Sequence, residues 1–541
     1  MTYRERIRAI GRLSVLSMTL LSTSLLPVQA AIFDSPVKWP QRHGPLTESE
    51  MHMARIAWTY FENNYQEKTG LVNAVDGYPS TTMWDTASYM AAMTAALRLG
   101  IIDKAVFDQR LVQLLSTLNK IDLFRKELPN KVYHTKTAEK VNYANKPGEI
   151  GYSALDLGRM LIWLKIIKER YPEHAGQIDG VVLRWDFRNV IDPCGTMYGA
   201  MVGGDKSTRY VQEGRLGYEE YAAKGFKLWG FTTCLASKPD PYEMIPIYGV
   251  DVPYDVRDPR KLTQHNYVVS ESYVLDGIET NWDHPADRSR HNRYNSDPIA
   301  RNFAQRVYQA QENRYKATGI LTARSEHQLD KAPYFVYDTV YSDGYAWNTI
   351  TDNGKYVPEF AAVSLKAALG MWVLWDSPYT DLLGEAIWNQ NVFEKGYYEG
   401  IYENGSGPIK TFTANNNGIM LESLLYKVEG KLLQFNTNDP QYKKRAPSEW
   451  ERTLTDPFDG SNKRKGRPQV MTDAKTFKGV APTSKLGPIF RLKSSTNKSC
   501  PQLAPDFSNR KPTSENCPTC SPCPVCQDDT PVTLPAWSSS P

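Results

Sequence analysis

The 541-residue chain is poor in the residues that make metal and redox chemistry easy. It has eight His and seven Cys, and five of the Cys fall after position 499. It contains no G-x-S-x-G elbow, no H-E-x-x-H pair, no phosphate-binding P-loop and no dinucleotide fingerprint. Serine-esterase, zinc-protease and nucleotide-dependent chemistries therefore have no local support, and the reading calls for neither metal nor cofactor. After Val28 there is no apolar run approaching the roughly 20 residues that a spanning helix needs. A strong excess of one charge is also missing: 64 basic residues face 60 acidic ones, a net of +4. Residues 1–30 carry +3 and residues 431–541 carry +7, which leaves −6 for the body between them. An acidic body is a poor partner for nucleic acid or for any polyanion.

What is present begins with Arg4, Arg6, Arg8 and Arg12, an apolar run from Leu13 to Val28, and Val28-Gln29-Ala30. This reads as a secretory signal peptide over residues 1–30, so the mature protein is expected in the periplasm or outside the cell. Export makes a disulfide between Cys194 and Cys234 an expectation. The string CPTCSPCPVC at 517–526 reads either as a metal knuckle or as local and intermolecular disulfides. The second reading is preferred, because no His or intervening fold accompanies the four Cys, and the odd total leaves one thiol to bridge chains. Residues 431–541, rich in Pro, Ser and Lys, read as an extended or disordered tail able to reach a protein partner.

Between them, residues 31–430 alternate amphipathic stretches with long aromatic loops. Ala87, Ala91 and Ala95 form a small-residue stripe that admits a close helix neighbour. FENNYQEKTGLVNAVDG and QENRYKATGILTARSEH share an outer-helix ending, then Tyr, Thr-Gly and an aliphatic pair, evidence for a repeated helix-loop-helix unit. Six inner helices are expected to begin near Trp84, Ile150, Glu213, Asn266, Val357 and Asn416, the fourth without a clear outer partner. The fold class expected is all-α, an (α/α)6 toroid with its long loops at one mouth. Pro358 beside Glu359 is read as opening the fifth inner helix.

The stretch EGRLGYEEYAAKGFKLWG, Glu213–Gly230, reads as one helix with Glu213, Glu219 and Glu220 interleaved with Arg215, Tyr218 and Tyr221. Three carboxylates among large aromatics exceed what a solvated face or a helix N-terminus requires. Cleaving a glycosidic bond needs one carboxylic acid to protonate the leaving oxygen and a second group to activate water or attack. Glu219, with Glu213 second, is the candidate acid, and Asp338 or Asp343 the candidate base. Trp84, Asp85, Tyr152, Asp156, Arg215, Tyr218, Glu220, Glu271, Tyr341, Trp347 and Glu359 are candidates for holding a polysaccharide or oligosaccharide. Asp85 and Glu359 stand where helix capping explains them equally well.

WDTASYMAAMTAALRLGII, LPNKVYH, IGYSALDLGRMLIWL and EGRLGYEEYAA resemble a bacterial exported family known as domain of unknown function 3131. More distantly, LGYEEYAAKGF is similar to the paired-Glu inner helix of glucoamylase-like (α/α)6 glycosidases. That resemblance implies a general acid at Glu219 or Glu220, and it finds no matching second Glu in the last helical unit beyond Glu422. The function expected is an exported, inverting glycoside hydrolase of a glucan-like polysaccharide. The alternative is a non-catalytic glycan-binding or scaffold protein of a polysaccharide assembly system.

Overall fold

The computed structural model describes residues 39–435, except 193–194, 214–215, 240, 258–265, 286 and 288–295. The expected signal peptide, the tail beyond residue 435 and Arg215 lie outside the described residues, whereas the first tail residues, 431–435, are described and Lys431, Leu432, Leu433 and Phe435 are buried against the body. Eleven α-helices are described: α1 Glu48–Asn64, α2 Met83–Arg98, α3 Lys104–Leu118, α4 Ala154–Arg170, α5 Ala175–Leu183, α6 Tyr218–Leu228, α7 Glu271–Leu275, α8 Pro298–Thr318, α9 Leu365–Leu374, α10 Pro378–Ile387 and α11 Ala414–Glu429. None of them is long and apolar enough to cross a membrane. Six, α2, α4, α6, α7, α9 and α11, pack on one another in chain order, and α11 packs back on α2. Their apolar residues are buried almost all round, as an inner layer enclosed by other helices requires. The two repeated passages both begin in the closing turns of outer helices, α1 and α8, and run on into the loops that follow.

The fold is not all-α. Short antiparallel strands fill the connections, among them β1 Gly151–Tyr152, β2 Tyr198–Val202 and β3 Thr208–Gln212 in one sheet, and the hairpin β4 Tyr242–Ile247 with β5 Val250–Asp255. Between α6 and α7, where no outer helix stands among the described residues, this hairpin packs on α8. A third sheet joins β6 His327–Gln328, β7 Phe335–Asp338 and β8 Thr349–Ile350. The aromatic loops alternate inward and outward residues at period two, and paired in this way they form ladders rather than irregular chain.

The helices expected near Ile150, Glu213, Asn266 and Val357 all start later, at Ala154, Tyr218, Glu271 and Leu365, and two of these shifts have a visible cause. Glu213 follows the end of β3, and α6 begins five residues later because Gly217 has φ +93°, a left-handed conformation that interrupts helical geometry. Pro358 opens only a 3₁₀ turn, Pro358–Phe360, and α9 starts after the short strand Ala362–Ser364.

Where α4 crosses α6, glycine sets the distance. A Cβ added at Gly225 would stand 2.0 Å from the Gly158 carbonyl oxygen, and one at Gly158 would stand 2.5 Å from Ala222. Since the obstacles are backbone, they relieve little. Gly225→Ala is expected to lower unfolding free energy by about 1–3 kcal/mol or more, read from the urea midpoint. A loss below about 0.5 kcal/mol would mean that the helices separate freely.

Candidate functional site

The first turns of five inner helices meet. Thr82 caps α2, so Trp84 leaves its second position half-buried. Its indole Nε1 donates to Glu271 Oε1 at 3.0 Å and to Asn415 Oδ1 at 3.1 Å, linking α2 to the first residue of α7 and the second of α11. Asn415 Nδ2 donates to Glu271 Oε1 at 2.8 Å. Lys366 Nζ, from α9, lies 2.5 Å from Glu271 Oε2, which also accepts from Ser325 at 3.3 Å. Burial alone would raise the pKa of Glu271, but the Lys366 charge and its hydrogen bond hold the carboxyl below its ordinary value. Glu271 is therefore an ionised, fully occupied carboxylate.

Tyr218, the first residue of α6, packs its ring 5.7 Å from that of Trp84, and its hydroxyl donates to Glu326 Oε1 at 2.8 Å. Glu326 is half-buried as a residue, with Oε2 itself shielded from solvent, so a carboxylate stands at the rim of this aromatic pair, against the phenol of Tyr218.

Directly below lies Arg159 of α4, with no exposed surface. Its guanidinium sits 4.8 Å from the Trp84 ring. Nη1 donates to Ser88 Oγ at 2.7 Å and Asn415 Oδ1 at 3.0 Å, and Nη2 to Glu422 Oε1 at 2.7 Å. Nε approaches Glu279 Oε1 at 3.5 Å, an oxygen that also accepts from Trp163 at 2.7 Å. Burial raises Glu422 well above its ordinary value against the opposing Arg159 charge, with the neighbouring Glu279 adding to the rise, and burial raises Glu279 as well, so the two carboxyls share one guanidinium. Glu279 lies on a π-helical turn, Asp276–Thr280, that prolongs α7. Tyr221 OH also donates to it.

The acids of the Glu213–Glu220 stretch separate. Glu213 Oε2 accepts from the Ala154 amide at 2.7 Å, Ser153 Oγ at 3.1 Å and the Leu155 amide at 3.4 Å, so it caps α4 from outside that helix. Glu220 turns back on its own helix and accepts from the Gly217 amide at 2.6 Å. Burial, then the Glu219 charge, raises Glu220 well above its ordinary value. Glu219 is buried beside the two hairpins, accepting from Gln212 Nε2 at 2.8 Å with Arg257 at 3.6 Å. Burial outweighs the Arg257 charge and pushes Glu219 up to about 7, with Asp255 adding to the rise. Glu219 thus holds a proton near neutrality, next in chain to the tyrosine that holds Glu326. Asp156 is likewise pushed up to about 7 by burial and then by Glu213. Asp85 accepts from Thr82 Oγ1 at 2.7 Å in the first turn of α2 and is raised by burial.

The expected base at Asp338 is corrected. Period-two alternation turns it to the buried face of β7, where Arg324 pairs with it, Thr349 Oγ1 donates at 2.6 Å and the Ala362 amide at 2.8 Å. Arg324 and Arg314 share Glu403 there, and Arg314 lies 4.7 Å over Trp347. Trp347 thus covers an ion-pair cluster. Asp343 sits at the left-handed tip of the 341–346 hairpin with φ +54°, a turn position that suits Asp, and its amide donates to Asn266. Tyr341 packs 4.8 Å from Tyr254, Tyr152 is buried in β1 against Phe124, and Glu359 is exposed on the 3₁₀ turn. Cys194 lies outside the described residues, although a Cβ on its neighbour Gly195 would stand 2.3 Å from the Cys234 amide nitrogen. Among the described residues, Asp108, Glu173 and His174 group as metal ligands would, but Lys104 already neutralises them, 2.5 Å from Asp108 and 2.8 Å from Glu173.

Sequence reasoning missed Glu326, Asn415, Arg159 and Lys366. Glu326 had a signal, since Glu-His-Gln at 326–328 alternates outward and inward like a strand. The other three had none that is local.

A family model described as a protein of unknown function (DUF3131) matches residues 52–430. No curated protein matches the chain. Among solved structures, the chain is similar to an endo-β-1,2-glucanase from Chitinophaga pinensis in complex with sophorotriose and glucose. Identity is 13%, TM-score 0.53, over 76% of this chain and 98% of that one. It is also similar to proteins provisionally described as glucoamylases from Bacteroides fragilis (12%, TM-score 0.54, 77% and 98%) and Bacteroides caccae (12%, TM-score 0.53, 75% and 98%). At these identities the likeness establishes a helix-rich, glycosidase-like fold.

Proposed function

This chain belongs to the DUF3131 family, and we propose that it is an exported, inverting glycoside hydrolase of a neutral, glucan-like polysaccharide. The observation that carries the reading is the meeting of Trp84, Tyr218 and Glu326 over a buried, charge-balanced floor. Rings beside a carboxylate suit a sugar, whose apolar face packs on aromatics while its hydroxyls seek acceptors. In this proposal Glu219 donates the proton to the leaving oxygen, and Glu326 replaces Asp338 as the base that activates water. The inner series is then an (α/α)6 toroid whose fourth outer helix is replaced by the β4–β5 hairpin.

The test is product release from linear α-1,4-, β-1,2-, β-1,3- and β-1,4-glucans by the mature protein, with the anomer of the first product followed by NMR. Release with inverted configuration is expected. Binding of a glucan without any release, at every pH from 4 to 8, would replace hydrolysis by the scaffold reading.

Export carries its own check. Protein recovered from the periplasm or medium is expected to begin after Ala30 and to give, without reductant, a peptide pair joined through Cys194 and Cys234. An intact N-terminus on a cell-internal protein would end the export reading.

A further inference from the structure

The sheet of β6, β7 and β8 carries a second feature that the hydrolytic centre does not use. The register pairs Phe335 with Gln328 and Val336 with His327, antiparallel. Continuing it by one residue sets Tyr337 across from Glu326. Residues directly opposite in an antiparallel pair point to the same face. One face therefore carries His327, Val336 and Asp338, all buried, and the other carries Glu326, Gln328, Phe335 and Tyr337, all half-buried. The proposed base thus begins a row whose next members are aromatic or neutral.

The row is firmly backed. Tyr267, itself buried, stacks behind Tyr337 with ring centroids 4.3 Å apart and 24° between planes. Phe335 meets Tyr337 edge-on at 5.2 Å. At Glu326 the row joins Tyr218, and through it Trp84. Gln328, Phe335 and Tyr337 carry no charge, so the face suits a ligand that brings apolar patches and hydroxyls but no charge.

We propose that Tyr337 and Phe335 form a glycan-binding track that leads away from Glu326 and holds the sugar units beyond the bond to be cut. The inference rests on the hydrolase reading for its direction but not for its detection, because binding is measured without turnover. Its consequence is a dependence on chain length. An oligosaccharide long enough to reach Tyr337 and Phe335 gains contacts that a disaccharide at Trp84 cannot make.

The experiment measures, by calorimetry at 10 °C, the affinity of linear gluco-oligosaccharides of two to eight units in the α-1,4, β-1,2, β-1,3 and β-1,4 series. The parent is compared with Phe335→Ala/Tyr337→Ala and with Phe335→Tyr/Tyr337→Phe, near-ultraviolet circular dichroism confirming the fold of each. The parent is expected to bind the longer members of one series at least about tenfold more tightly than its disaccharide. The alanine pair is expected to lose that gain while binding the disaccharide as the parent does, and the aromatic exchange to keep it. Should the alanine pair retain the full gain, the track is wrong while the hydrolase stands. If the parent cleaves a glucan yet shows no gain with length, the track is again wrong. Failure to bind any member overturns it as a glucan site. Length-dependent binding without cleavage upholds the track and overturns the hydrolase. If the alanine pair misfolds, Tyr337→Leu alone must show a partial loss of the gain, and an unchanged gain counts against the proposal.

Discussion

Arg159→Met is expected to lower the stability of the protein by about 3–5 kcal/mol, because removing one partner of a buried ion pair strands the other. Arg159 is fully buried and bonds to Glu422, Ser88 and Asn415, with Glu279 at 3.5 Å. Glu422 and Glu279 both face this guanidinium, so its loss strands buried carboxyl charge on the pair. Two other buried cations, Lys366 and Lys224, are committed to Glu271 and Asp276. The variant relieves itself by protonating the pair, whose folded pKa values, already raised, rise further. A raised carboxyl pKa gives stability that is present at low pH and lost as pH climbs from the unfolded value of about 4.3. The deficit of Arg159→Met should therefore be smallest near pH 4 and largest near pH 8. Glu422→Gln, which supplies a neutral group able to donate to Glu279, should cost no more than about 1 kcal/mol. Guanidinium unfolding at several pH values, followed by tryptophan fluorescence, checks all three statements. A loss below about 1 kcal/mol at pH 8 would mean that Arg159 does not hold the floor of the site. Asn415 accepts from both Arg159 and Trp84, so loss of the guanidinium also frees the amide that orients the indole.

How much of this was legible depends on the range of the forces involved. The starts of α2, α4 and α11 are written locally, in Thr82, Ser153 and Thr413, each accepting from an amide three residues on. The stripe Ala87, Ala91 and Ala95 announced close packing, and α2 is buried along that side. The Glu213–Gly230 stretch was misread because helical periodicity on both sides of Gly217 hides a single positive φ, which detaches Glu213 and hands it to a different helix. Asp338 was misread for the opposite reason. Its Tyr-rich surroundings look like a loop, and only β pairing shows that every second residue turns inward, Asp338 among them. The contact between Trp84 and Asn415 spans 331 residues and exists only because α11 returns to α2. No local pattern encodes such a meeting. Arg159 is the instructive case. In the sequence it is one of six charged residues on α4, with Asp156, Lys165, Lys168, Glu169 and Arg170, and it reads as part of an exposed stripe until residues 157–164 prove buried all round.

Glu326→Gln is expected to lower kcat by about 10²–10⁴-fold, the usual contribution of a general base, with little change in KM. Gln keeps the oxygen that Tyr218 OH donates to, so the packing of Tyr218 on Trp84 survives and the loss falls on the chemistry. Glu219→Gln should be as severe on a glucan, but for a different reason, and the two can be told apart. A general acid matters in proportion to the basicity of the leaving group. An aryl glycoside with an acidic phenol should thus recover most of its rate in Glu219→Gln and none in Glu326→Gln. The pH profile gives a second separation. Burial holds Glu219 at about 7, so the parent should lose activity as pH rises through that value and the acid gives up its proton. That alkaline fall should be absent from the residual activity of Glu219→Gln. The same raised pKa makes Glu219 a stability cost that grows between about pH 4.3 and 7, so Glu219→Gln should unfold later than the parent at pH 8. A positioning role alone would leave the alkaline limb in place. Glu213→Gln completes the comparison. It weakens the cap on α4 at a cost of about 0.5–2 kcal/mol, and kcat/KM should be unchanged, because Glu213 faces the amides of Ala154 and Leu155. If instead Glu213→Gln abolished turnover in a folded protein while Glu326→Gln did not, the base assigned from the Tyr218 contact would be wrong.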